Sequence, residues 1–212
     1  MKYSITSLLA IASLTSAHFT LEFPKARGSG EDTLDQFPCG GFNTPSTERT
    51  PWPITGGQIA LKMGHSQSNV EVLIAMGNNP GNAFNTILRP TFLQTGLGDF
   101  CMQGLTLPST FNVTDGVNAT IQVITNGDPA GGLYNCADIT FSSTAAAAGS
   151  CTNATGVTVG TATVSGNPNG TTSTDHEHPA ETSSTKPGAA SGIKAGMGGL
   201  VVALMAAVAM VM

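Results

Sequence analysis

Apolar residues recur at every second position in several short stretches of the chain. Ile59, Leu61 and Met63 alternate with Gln58, Ala60 and Lys62, and Val70, Val72, Ile74 and Met76 repeat the period. Alternation of this kind gives an extended chain one apolar face, so both stretches predict strands. Ile121 with Val123, and then Ala137, Ile139 and Phe141, predict two more. Asn79-Pro80-Gly81 and Asn126-Gly127-Asp128-Pro129 read as turns between strands. No segment from His18 to Cys151 keeps a long 3.6-residue period. Short strands with frequent glycine and proline predict an all-β fold, an antiparallel β-sandwich.

The pattern changes at both ends. Residues 1–17 carry Lys2, an apolar run from Leu8 to Leu14 and the small residues Thr15, Ser16 and Ala17, which predicts a secretory signal peptide. Cleavage after Ala17 would make His18 the first residue. At the other end, Gly198–Met212 is apolar and uncharged but short for a membrane-spanning helix, which needs about 20 residues. Small residues at 188–192, with Gly188 as the expected attachment point, and a spacer holding Lys194 match the signal for a glycosylphosphatidylinositol (GPI) anchor. From Ser142 onward the chain is mostly Ala, Ser, Thr and Gly, too poor in large apolar residues to offset the entropy of ordering. The predicted organisation is a signal peptide at 1–17, a folded domain at 18–154, a Ser/Thr-rich stalk at 155–192 bearing O-linked sugars, and a GPI propeptide at 193–212. The expected location is the outer face of the plasma membrane or the cell wall.

Composition narrows the function classes. The net charge is −5 and only 10% of residues are charged, which argues against nucleic acid as a partner. Four N-glycosylation sequons occur, at Asn112, Asn118, Asn153 and Asn169, whereas Asn167 is followed by proline and fails the pattern. The four cysteines, Cys39, Cys101, Cys136 and Cys151, all lie in the predicted domain. An even count in an oxidising compartment predicts two disulfides, with three pairings open. There is no Gly-x-Ser-x-Gly nucleophile elbow, so a hydrolase of that type is not supported.

The candidate chemistry rests on few side chains. Of four histidines, His176 and His178 fall in the stalk, in an Asp-His-Glu-His run that could hold a metal only weakly because the tract would have to be ordered to do so. His18 and His65 belong to the domain. A histidine at a mature N-terminus offers a metal its α-amine and its ring Nδ1 together, and His65 sits in a turn between two predicted strands, free to converge on it. Two imidazoles and one amine make a T-shaped, three-nitrogen histidine brace, a donor set that favours copper over zinc or magnesium.

With these features the chain resembles a family of fungal secreted, GPI-anchored proteins similar in fold to lytic polysaccharide monooxygenases, the copper acquisition factor type. The resemblance covers about residues 18–151. It is carried by His18, Phe37-Pro38-Cys39-Gly40-Gly41, His65 before an apolar strand, Gly98-Asp99-Phe100-Cys101, Leu107-Pro108, and Leu133-Tyr134-Asn135-Cys136-Ala137-Asp138-Ile139. It implies an immunoglobulin/fibronectin-like sandwich and one copper ion, as Cu(II), held by His18, His65 and an aspartate. Asp138, inside the matched Cys-Ala-Asp-Ile segment, is the expected third ligand, and Asp128 is the alternative. An anionic oxygen on copper disfavours oxygen activation, so the resemblance implies copper uptake or homeostasis without polysaccharide oxidation. The partners it implies are copper, the plasma membrane through the GPI lipid, and a copper transporter. The aromatic content agrees: the only tryptophan is Trp52 and the tyrosines are Tyr3 and Tyr134, few for a glycan-oxidising face. A copper-dependent polysaccharide monooxygenase and a metal-free structural wall protein are the alternatives. The expected disulfides are Cys39–Cys136 and Cys101–Cys151, which would tie the last predicted strand and the chain end into the domain.

Overall fold

A computed structural model of the protein describes residues 18–126, 132–146, 149–162 and 164. The predicted signal peptide, Asp128, Asn169, His176, His178 and the predicted anchor signal from Gly188 onward lie outside the described residues. The strands are β1 (Phe19–Phe23), β2 (Thr50–Pro53), β3 (Gly57–Met63), β4 (Gln67–Met76), β5 (Thr86–Thr95), β6 (Gly98–Leu105), β7 (Asn118–Asn126), β8 (Gly132–Ser142) and β9 (Thr158–Thr161). A 3-10 turn at Glu31–Thr33 is the one helical element among the described residues.

Two sheets result, one in the order β1-β3-β6 and one in the order β2-β8-β7-β4-β5-β9. They share one core. The small sheet contributes Phe19, Leu21, Ile59, Leu61, Met63, Phe100 and Met102, and the large one Val70, Val72, Ile74, Ile121, Val123, Ile139 and Phe141. The alternation read from the sequence is therefore the inward face of each strand. The outward face of β4, β7 and β8 is also covered: Leu73, Ala75, Ile124 and Cys136 form a second cluster with Cys39 and Phe84. Cys39 bonds to Cys136, with Cα atoms 5.1 Å apart, and fastens the 24–49 segment over this face. Cys101 bonds to Cys151 and holds the 149–154 segment along the free edge of β6.

Three features depart from the sequence expectation. The sheets are not wholly antiparallel, because β2 pairs with β8 in parallel, Trp52 opposite Phe141. The fold also continues past residue 154: Thr158–Thr161, expected in the stalk, adds to the edge of β5 as β9. Its side chains are exposed, so backbone hydrogen bonding rather than burial places it, and no apolar pattern announces it. Strand β5 contains Pro90, which ordinarily argues against a strand. The ladder to β4 shifts register between Val70 and Val72, opposite Phe92 and Arg89, so the proline falls at a bulge where no ladder donor is needed.

Trp52, the only tryptophan, is 2% exposed and lies flat against the backbone of Gly57, where a Cβ would meet its ring at 2.3 Å. Gly57→Ala should therefore lower the stability by about 1–3 kcal/mol through forced repacking of the indole, measured as a reduced midpoint in urea with the slope unchanged. An unaltered midpoint would show that the ring moves aside freely.

Candidate metal centre

One end of the sandwich gathers the starts of β1, β4, β6, β8 and β9 and the ends of β3, β5 and β7. There Phe19 pairs with Met63, Met63 with Gly98, Gln67 with Thr95, Thr95 with Thr158, and Asn126 with Gly132. His18 immediately precedes β1, and its carbonyl accepts a hydrogen bond from the Gly64 N–H at 2.9 Å. His65 lies one residue further along the connection that carries the chain from the small sheet into the large one. The next residue, Ser66, accepts at its carbonyl the N–H of Gly96 at 2.8 Å. Gly96 has φ of 106°, and a Cβ there would meet the Gly156 carbonyl oxygen at 2.7 Å, so only glycine fits this crossing. The register of β1 on β3 thus brings the two histidines expected from the sequence to one place.

Two ring atoms define what that place can do. Nδ1 of His18 and Nε2 of His65 are both buried and have no hydrogen-bond partner. A buried polar atom left unpaired costs about 1–3 kcal/mol, so two such nitrogens on residues beside the His18–Gly64 backbone bond would be relieved by a ligand that takes lone pairs. A metal ion of nitrogen preference fits that demand, and these are the two ring atoms that a brace with the His18 α-amine would use. Among the described residues no group of three His, Cys, Asp or Glu side chains converges.

Asp138 does not join the histidines, which corrects its expected role as the third ligand. It faces Thr120 on β7, and Thr120 faces Ala75 on β4, eight residues along that strand from Gln67. At the rise of an extended chain that is about 26 Å from the histidine end. Its side chain is wholly buried and fully engaged. Arg27 grips it with two hydrogen bonds of 2.8 Å, from Nε to Oδ2 and from Nη2 to Oδ1. Thr120 Oγ1 donates at 2.6 Å and the Ser46 N–H at 2.7 Å, and Arg49 Nη1 stands 3.6 Å away. Burial alone would raise the Asp138 pKa, but the hydrogen bonds from Arg27, Thr120 and Ser46, with the Arg27 charge, outweigh it and hold the carboxyl below its ordinary value. The Cys-Ala-Asp-Ile context points to importance and cannot separate a structural carboxylate from a ligand. Arg27 is the residue that sequence reasoning misses: a lone arginine in a polar stretch gives no hint of a partner 111 residues away.

Comparison with known proteins agrees with this architecture. The chain is 32% identical over 163 residues to the lytic polysaccharide monooxygenase-like protein X325 of Hypocrea jecorina, covering 66% of this chain and 70% of that one. It is 48% identical over 164 residues to an uncharacterised protein of Aspergillus fumigatus, covering 74% and 67%. Against the copper acquisition factor BIM1 of Cryptococcus neoformans var. grubii it is 32% identical over 149 residues, covering 65% and 67%. The class is thus that of all-β, lytic polysaccharide monooxygenase-like proteins. Within it, residues 16–156 match the BIM1-like copper acquisition factor domain, and the chain belongs to that family. Membership carries a copper-related role and copper as the implied partner.

Asp138→Asn should destabilise the fold by about 3–5 kcal/mol, because it leaves the Arg27 charge buried without a counter-ion. The pH dependence has a definite sign: a carboxyl whose folded pKa lies below its unfolded value of about 3.9 stabilises fully above that pH and loses the contribution as pH falls through the folded pKa. Chemical denaturation from pH 7 to pH 2 should show this loss below about pH 4 in the wild type and its absence in Asp138→Asn.

Proposed function

We propose that the mature protein begins at His18, is tethered at the outer cell surface by a GPI lipid, and binds a single Cu(II) ion as cargo for uptake or homeostasis, without oxidising polysaccharide. The observation that carries this reading is the pair of buried, unpartnered nitrogens, His18 Nδ1 and His65 Nε2, in a chain of the copper acquisition family. Copper supplies a cation that prefers nitrogen donors in tetragonal geometry. The α-amine released before His18 completes three nitrogens. The carboxylate that the resemblance calls for falls to Asp128, the alternative aspartate in the sequence, because Asp138 is committed to Arg27.

Absence of glycan oxidation is supported by the surface. Trp52 is buried, and two of the exposed large apolar residues, Leu97 in the crossing beside Gly96 and Val159 in β9, lie near the histidine end and are aliphatic. An aliphatic side chain does not stack on a sugar ring as an aromatic does. Delivery to a membrane copper transporter is the expected onward step.

The sequons are not equivalent. Asn118 lies in β7 with its Nδ2 donating to Asn78 Oδ1 and its Oδ1 accepting from Thr140, while Thr120, the third residue of that sequon, is buried against Asp138. Asn112 is exposed, and Asn153 is exposed with its Oδ1 engaged by the Cys101 N–H. Enzymatic deglycosylation in heavy-oxygen water with peptide mass spectrometry should find sugar on Asn112 and Asn153 and none on Asn118.

The copper site is tested by titration of protein starting at His18 against protein with one extra residue before it. The addition should weaken Cu(II) binding at least about tenfold, about 1.4 kcal/mol. His65→Ala should weaken it further, and Asp138→Asn, where folded, should leave the paramagnetic resonance spectrum as it was. Equal affinity with and without the extra residue would refute the brace. Oxidised oligosaccharides from ascorbate-reduced protein would restore the monooxygenase reading.

A further inference from the structure

Gln94 is 0% exposed, one of the largest wholly buried side chains, and polar. It lies on β5 opposite Ser68, two residues after Phe92, whose ring is in the core, so the carboxamide also points between the sheets. Its Nε2 donates to the carbonyl of Gly96 at 2.6 Å, while its Oε1 is buried without a partner. The Gly96 N–H in turn holds the Ser66 carbonyl, and on the other side of His65 the Gly64 N–H holds the carbonyl of His18. A path of hydrogen bonds therefore runs from a core side chain, through one glycine crossing, to Ser66, and a separate bond ties Gly64, on the other side of His65, to His18.

Resting on the copper reading above, we propose that Gln94 is a positioning residue of the two-histidine site: by fixing Gly96 it holds Ser66, and so sets the aim of the His65 ring. The position is a demanding one for an amide. A leucine or methionine would fill the same core space without leaving an oxygen unpaired. What the amide adds is a bond from the core side to Gly96, the residue whose own N–H holds Ser66. A loosened turn would leave His65 attached but its Nε2 free to wander, and a metal site tolerates only small departures from its donor geometry.

The molecule supplies its own control. Gln122 is likewise 0% exposed, donates to the Pro38 carbonyl at 2.7 Å and has an unpartnered Oε1. It faces the outer cluster, opposite Leu73 and Cys136, away from the histidines. Gln94→Met and Gln122→Met remove the same chemistry at the same burial, so both should lower the melting temperature. Only Gln94→Met should weaken Cu(II) binding, by about tenfold, and shift the g and copper hyperfine values of the paramagnetic resonance spectrum. Gln94→Leu, which removes the donor to Gly96 without introducing a charge or a new O–H, should shift the spectrum as well and serves where the methionine variant does not fold. Wild-type affinity and spectrum in both Gln94 variants would overturn the proposal and leave the brace intact. A wild-type protein starting at His18 that binds no copper would overturn the brace itself, and this proposal with it. An equal spectral change in Gln122→Met would also overturn it, since the effect would then be one of general loosening.

Discussion

A single carboxylate governs the path of the longest irregular stretch of the domain. Asp138 is buried and ionised, a state that costs several kcal/mol unless the charge is met by an opposite charge and by hydrogen bonds. Every group that meets it apart from Thr120 comes from the segment between β1 and β2: the Arg27 guanidinium, the Ser46 N–H and, farther off, Arg49. The same segment brings Cys39 to Cys136, and Arg27 donates its backbone N–H to the Cys136 carbonyl. The outer cover of the large sheet is therefore organised around one charge rather than around regular structure. The consequence reaches the histidines, since β1 is held at its start by the His18–Gly64 bond and beyond its end by Arg27 on β8.

Convergence of His18 and His65 is a property of strand register. Phe19 opposite Met63 leaves the residues just outside each strand side by side, and a slip of one position would turn every inward side chain of β1 outward. The apolar alternation of Phe19 and Leu21 forbids that slip, so core packing sets the placement of the two histidines at one remove. The crossings at 64–66 and around Gly96 are short, which leaves little freedom for His65.

Strands β3, β4, β7 and β8 were legible because their inward faces alternate cleanly. Strands β2 and β5 were not, since Pro51, Pro53 and Pro90 mask them; the prolines sit where a strand runs in parallel beside its single neighbour or at a bulge. β9 has no buried face to read. Of the candidate site, His18 and His65 could be singled out in the sequence, because a histidine that follows a leader-like apolar run and a histidine in a turn between two strands are both visible in one dimension. The role of Asp138 was not, because a buried ion pair spanning 111 residues leaves no local pattern. Gln94 was equally hidden, an amide in a strand whose importance lies in what its neighbour two residues on is bonded to.

The direction of β9 bears on how the domain is presented. Thr158 lies opposite Thr95 at the histidine end and Thr161 opposite Phe92, so the chain travels along this last strand away from the histidines. Within the described residues the strand leaves from the histidine end and shields the edge of β5 over Phe92–Thr95, closing a row of backbone groups that would otherwise invite pairing with another chain.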